Sequence, residues 1–322
     1  MPTAFEIIEQ VRRDPKIPAP SQAVCKVLEL TKDPQCDPSR VAAVIQRDGG
    51  LTGQLLRQAN SALYSFVTPT SSVNDAVVRL GLKAVRAAVV NQHVVAALGK
   101  TRPPGFRPQQ YWQGTFAASV AAHDLCKELR LKEADDAATA GLLCNLGIGL
   151  MAYSIPRLYQ TVLTFFAREP GGGLHVVERR LLNTTHAEVA AAVLEDWRLD
   201  PHIIAAVRFH HDEPPGSLDE PSRRFCRVVA AAGTLAHIAL EGSEMDSVAV
   251  LFSQLEGLTH DADAVVNRLL DRLVQHIQSS AASYAVELGS MDQMEQNFEA
   301  LLRSLPDLAG RLSFSAMPPE KP

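Results

Sequence analysis

Two neighbouring stretches decide the fold: Leu51-Thr52-Gly53-Gln54-Leu55-Leu56-Arg57-Gln58-Ala59-Asn60-Ser61-Ala62-Leu63-Tyr64, and Ser72-Val73-Asn74-Asp75-Ala76-Val77-Val78-Arg79-Leu80-Gly81. In the first, Leu51, Leu55, Leu56, Ala59 and Leu63 recur at three and four, which keeps one face of a helix apolar. Val73, Val77 and Leu80, followed by Leu82, Val85 and Val89, repeat the habit. No stretch alternates with a period of two, so the chain reads as all-α. Helix starts carry their own chemistry. Asp37-Pro38 and Asp200-Pro201 place proline at a first helical position, while Ser72 with Asp75 and Thr185 with Glu188 have capping-box spacing.

Outward from this block, breaks fall at Pro18–Pro20, Thr68–Ser72, Thr101–Pro108, Gly171–Gly173, Pro214–Ser217 and Glu241–Glu244. Thr101–Pro108 holds three prolines and a glycine and cannot continue a helix. It divides an N-terminal helical lobe, residues 1–100, from a second lobe, residues 109–240. A C-terminal helical extension, residues 245–322, contains the pattern Ala264–Leu288 with Val265, Leu269, Leu273 and Ile277 on one face. That face is expected to pack back on the lobes, with Pro318–Pro322 frayed.

The chain of 322 residues has 31 Lys and Arg against 36 Asp and Glu, a net charge of −5. That balance argues against a nucleic-acid partner or an anionic membrane surface. Cys25, Cys36, Cys126, Cys144 and Cys226 are odd in number and form no CxxC pair, which fits a reducing cytoplasm. Charges from Glu6 to Lys16 interrupt any signal-peptide core. The apolar window Ala84–Leu98 is broken by Arg86, Asn91 and His93, so no membrane span is expected.

Among ten histidines, three stand apart: His186 opens a capped helix, and His210-His211 closes another before Asp212-Glu213-Pro214-Pro215. Neighbours on a helix point about 100° apart, so the pair is not expected to face one metal equally. A histidine at a helix end can equally well meet the helix dipole. His123-Asp124 is an HD dipeptide inside the helix pattern Phe116, Val120, Leu125, Leu129. No flanking ligand completes it, and it reads as a surface or half-buried pair. Cys144 reads as a small buried hydrophobe. P-loop, dinucleotide, nucleophile-elbow and zinc-protease signatures are all absent from the sequence, Gly171–Gly173 reads as a turn, and Arg179-Arg180 and Arg223-Arg224 are isolated pairs.

The 51–64 and 72–81 blocks closely resemble the N-terminal half of the HDOD domain, the HD-related output domain of bacterial signalling proteins. Ile17-Pro18-Ala19-Pro20 is similar to its opening segment. The likeness continues through Trp112 with Thr115, Ala140–Leu143, His186–Trp197 and Ile203–His211. It runs from about Phe5 to Leu240, and its marks include Leu55, Asn60, Ser61, Trp112 and Trp197. Asp48-Gly49-Gly50-Leu51 departs from it, since the family usually has proline after the aspartate.

The resemblance implies a two-lobed helical fold and a comparison with catalytic HD hydrolases. Their metal-ligand positions fall here on Thr115, Cys144, Asn145 and Gly233, so the site is degenerate and neither a catalytic metal nor another cofactor is expected. His186, His210 and His211 match outer positions that help with further metals in the HD-GYP phosphodiesterases, and they form a candidate pocket. A zinc ion on His186, His210 and Cys144 is geometrically conceivable. The glycine-tyrosine-proline signature is absent, so cyclic-di-GMP hydrolysis is not expected. The expected function is a non-catalytic, cytoplasmic signal-transduction module acting through a protein partner, in which a ligand or partner biases the packing of the lobes across Thr101–Pro108. The alternatives are a divergent metal-dependent phosphohydrolase using His123, Asp124 and the three histidines, a sensor of a small-molecule or nucleotide ligand, and an assembly protein dimerising through Ala264–Leu288. Asn60 and Ser61 are expected to cap and pack an interior turn.

Overall fold

The polar caps open helices where the sequence marks them. Asp37 accepts from Ser39 N–H at 2.9 Å and Asp200 from His202 N–H at 3.0 Å, each with proline in the first turn. Thr185 and Glu188 form the full reciprocal box. Ser72 accepts from Asp75 N–H at 3.2 Å. Each bond satisfies a backbone donor that the first turn leaves unpaired.

In the computed structural model, residues 2–15, 17, 19–61, 64, 68–98, 103–168, 173–242 and 245–315 are described, with the side chains of the last helix described through Arg303. Leu63, Pro18, the Thr101-Arg102 and Gly171-Gly172 parts of two expected breaks, and the Pro318–Pro322 tail lie outside them. The helices are α1 (Ala4–Arg12), α2 (Gln22–Leu30), α3 (Pro38–Ile45), α4 (Gly49–Ala59), α5 (Val73–Leu98), α6 (Pro108–Glu128), α7 (Ala134–Cys144) and α8 (Leu146–Ser154). They continue with α9 (Pro156–Arg168), α10 (Leu174–Leu182), α11 (His186–Asp196), α12 (Pro201–Arg208), α13 (Glu220–Glu241), α14 (Met245–Glu256), α15 (Ala262–Ser283) and α16 (Asp292–Ser315). No strand occurs among the described residues. One difference from the sequence pattern is Gly81, which takes φ 79 and kinks α5 between its two apolar runs.

Helix α6 is the axis of the fold, buried almost continuously from Tyr111 to Cys126 and packed by α7, α13 and α15. Its small residues Ala117, Ala118, Ala121 and Ala122 allow close approach. Gly141 on α7 meets this surface with no side chain at all, because a Cβ there would lie 2.5 Å from the Ala118 carbonyl oxygen. Buried side chains from Ile7 to Leu301 make one cluster, and Arg12 on α1 reaches Asp196 on α11 through Nε at 2.7 Å.

The stretch Ala134–Ser154 is long and apolar enough to cross a membrane by length and composition. It is in fact two helices broken at Asn145, and 78% of the window is buried inside the fold.

The expected face of the C-terminal extension is confirmed: Val265, Leu269, Leu273 and Ile277 are all buried on α15. The helix ends at Ser283 and does not reach Leu288. Because that apolar face packs on α6 of the same chain, it is not available for the dimerisation envisaged from sequence. The extension also touches α4, where Arg57 Nε donates to the Ser283 carbonyl at 3.0 Å and the Tyr284 hydroxyl to Gln58 Oε1 at 3.0 Å. Gln109 and Gln113 donate to the Leu288 carbonyl at 2.7 and 2.8 Å.

His123-Asp124 corrects a further expectation, since both residues are buried. Asp124 holds α15 to α6: His276 Nδ1 lies 2.7 Å from Oδ2, and His123 Nδ1 lies 3.0 Å from Oδ1. Burial pushes the Asp124 carboxyl up, but these hydrogen bonds outweigh it and leave the group below its ordinary value.

Candidate functional site

Three imidazoles meet where α11 begins and α12 ends. Thr185 caps α11, which puts His186 at its first position, buried against Gly147 of α8. That approach demands glycine, for a Cβ at 147 would stand 2.0 Å from the His186 carbonyl oxygen. The 100° rule for adjacent helical residues does not govern His210 and His211, because α12 has ended at Arg208 and both lie in the bend beyond it. Their Nε2 atoms lie 3.3 and 3.0 Å from His186 Nε2. The expectation that the pair could not face one point together is thus corrected. His210 is buried, while His211 is exposed on its outer side and stacks on His175 at 4.0 Å between ring centroids, 11° from parallel.

The outer ring nitrogens have fixed partners. His186 Nδ1 lies 2.7 Å from Glu178 Oε2, and the same oxygen accepts the His186 backbone N–H at 2.8 Å. Oε1 of Glu178 accepts the Tyr159 hydroxyl at 2.5 Å, so this buried carboxylate is fully engaged. His210 Nδ1 donates to the Val207 carbonyl at 2.7 Å. Burial drives the His210 pKa down to about 3, aided by the neighbouring imidazoles. His210 is therefore a neutral imidazole with its Nε2 lone pair directed at His186. Beside the cluster lies a cleft of about 190 Å³ whose lining includes His210, His211, Asp212, Glu213, Arg227 and Gln254. Gln254 Oε1 is buried without a hydrogen-bond partner among the described residues.

The positions that the resemblance makes metal ligands do not fit a hard cation. Cys144 is fully buried, its Sγ donates to the Gly141 carbonyl at 3.0 Å, and burial lifts its pKa to about 12. It stays a thiol and takes no part in the histidine cluster, where His211 stands in place of the Cys144 considered from sequence. Thr115 is buried beside the Tyr111 phenol. Asn145 ends α7 and begins α8. Gly233 offers no atom, and a Cβ there would sit 4.0 Å from His210 Cδ2. A hydroxyl, a carboxamide and a protonated thiol cannot replace the carboxylates and waters that such ions prefer.

The remaining marked residues hold the scaffold. Leu55 and Trp112 are buried, and Trp197 meets His93 edge-on at 4.9 Å. The Asn60 amide clasps the backbone of Thr70, donating to its carbonyl at 2.9 Å and accepting its N–H at 2.8 Å. Ser61 donates through its backbone to the Gln58 carbonyl at 3.0 Å. Sequence reasoning missed Glu178, Tyr159 and His175. Glu178 stands in Val177-Glu178-Arg179-Arg180 like any surface acid, and only its place on α10 beside α11 brings it to His186.

The profile of the HDOD domain matches residues 17–213, more than half of the chain. The chain belongs to the HDOD domain family. An HDOD domain protein of unknown function from Geobacter sulfurreducens shares the fold at 23% identity and a TM-score of 0.69, covering 87% of this chain and 98% of that one. A provisionally assigned phosphohydrolase from Shewanella amazonensis SB2B gives 0.63 at 22% identity over 91% and 97%. A provisionally assigned signal transduction protein from Marinobacter aquaeolei VT8 gives 0.65 at 22% identity over 88% and 62%. In sequence, an uncharacterized protein of Treponema pallidum (strain Nichols) is 26% identical over 212 residues, 66% of this chain. This HDOD chain spans about 40% of that relative's length.

Proposed function

We propose that this HDOD protein is a non-catalytic, cytoplasmic regulatory module in signal transduction whose output is a contact with a protein partner. One observation carries the reading: each carboxylate beside the cluster among the described residues already has partners, Asp212 bonding Arg179 and Glu213 bonding Arg227 at the cleft. Glu178 is the acid that touches it, and three donors occupy both of its oxygens. Phosphoester hydrolysis by a metal centre needs a cation held so that it activates water. The Thr115, Cys144, Asn145 and Gly233 positions supply neither the charge nor the geometry. The cleft of about 190 Å³ is also small for a nucleotide, since drug-sized ligands occupy roughly 300–1,000 Å³.

The test is turnover. Full-length protein assayed with bis-p-nitrophenyl phosphate and cyclic dinucleotides, with Mn²⁺, Mg²⁺ or Zn²⁺ added, is expected to show no hydrolysis above a heat-denatured control. Hydrolysis that disappears in His186→Gln would overturn the reading and restore the phosphohydrolase alternative.

A further inference from the structure

We propose that His186, His210 and His211 bind one divalent cation of the zinc class through their Nε2 atoms, at a site whose remaining coordination position faces the cleft beside Gln254. The starting observation is a convergence of ring nitrogens whose outer atoms are already held. His210 gives its Nδ1 proton to the Val207 carbonyl, and His186 Nδ1 is held by the Glu178 carboxylate. Their Nε2 atoms turn inward and face each other at 3.3 Å. His211 Nε2 joins them, 3.0 Å from His186 Nε2.

A cation would give the three inner nitrogens one common partner. With Zn–N bonds near 2.0–2.1 Å and tetrahedral angles, nitrogens on one ion stand about 3.3 Å apart. The observed 3.0 and 3.3 Å separations from His186 Nε2 match that spacing, and one ring nitrogen of each histidine lies within 4.8 Å of the other two. The donor set chooses the metal class. Three imidazoles suit Zn²⁺, Co²⁺, Ni²⁺ or Cu²⁺, whereas Mg²⁺ and Ca²⁺ demand oxygen. Glu178 and the Val207 carbonyl then have a definite task, since a carboxylate or carbonyl on the outer nitrogen fixes the tautomer and orients the ring. Their supporting contacts come from separate elements, α10 for Glu178, α11 for His186 and the bend after α12 for the pair, so an ion would tie these elements together. The inference does not depend on whether the protein is catalytic.

The experiment uses the full chain, purified without chelator or affinity histidines and stripped of metal. It is titrated with Co²⁺ followed by its visible absorption, and with Zn²⁺ followed by calorimetry and elemental analysis. We expect one equivalent bound, a spectrum with nitrogen ligation and no sulfur charge transfer, and a raised melting temperature. His210→Gln and His211→Gln should each remove stoichiometric binding, and Glu178→Gln should weaken it about 10–100-fold. His211 is exposed on its outer side, so its variant keeps the test valid should His210→Gln fail to fold. His260→Gln, at an exposed position, should change nothing. Absence of stoichiometric binding, binding indifferent to His211→Gln, or nitrogen NMR showing a proton held between His186 and its neighbours with Zn²⁺ present would each overturn the inference. Metal bound without turnover supports both this inference and the regulatory reading. Metal bound with turnover sinks only the latter.

Discussion

Two sets of residues singled out by the family resemblance differ in what they offer a ligand. Thr115, Cys144 and Gly233 are small and neutral, and the Cys144 thiol donates to the Gly141 carbonyl. A few ångströms away, His186, His210 and His211 hold polar atoms in an arrangement that packing alone would not favour. Family membership therefore does not settle chemistry: within one fold, one wall can become ordinary core while the next keeps a polar constellation with its supporting hydrogen bonds.

The contrast can be broken most forcefully at its glycines. Gly147→Ala drives a methyl into the His186 backbone and should cost about 3 kcal/mol or more, measured by urea unfolding. Gly233→Ala, by contrast, has ordinary van der Waals room beside His210 and should change stability by no more than about 1 kcal/mol. If the two substitutions cost the same, the two walls are not packed differently.

Between these extremes lies the α6–α15 tether. Asp124→Asn removes the charge that His123 and His276 address, with an expected loss of about 1–3 kcal/mol. Asp124 titrates below its ordinary value when folded, so its contribution is fully present above the unfolded carboxylate pKa of about 3.9 and is lost as pH falls through the lower folded value. The acid limb of stability should accordingly flatten in Asp124→Asn, as thermal melts from pH 7 down to pH 3 will read. Asn60→Ala, which frees the Thr70 backbone at a part-buried site, should cost about 1 kcal/mol.

The mildest probe is chemical. A thiol reagent at pH 8 should label Cys25 in the native protein and leave Cys144 untouched, because Cys25 is exposed and Cys144 is buried with its pKa near 12. Rapid labelling of Cys144 would mean that the end of α7 is open to solvent.

Much of this was legible in the sequence because it is encoded locally. Asp-Pro and Thr-x-x-Glu cap their own helices, and the apolar face of α15 follows from spacing alone. The three histidines were legible as candidates, and their convergence was not. It depends on α12 stopping two residues before His210, and a helical-wheel argument extended past that end gave the wrong geometry. Glu178 and the burial of His123-Asp124 were hidden for a related reason. A charged residue is buried only where a partner on another helix reaches it, here His276 for Asp124 and His186 for Glu178. The kink at Gly81 was also missed, since apolar periodicity runs through it and only the positive φ reveals the break.

The C-terminal contacts carry a practical lesson about where this domain stops. The family profile ends at residue 213, yet α6, which lies inside that span, has one flank roofed by α15, with Tyr284 against the ring of Phe116. Trimming the gene to the profile would strip that roof and leave an oily furrow along α6, so a truncated product should stick to itself even though every residue used to recognise the family is still present.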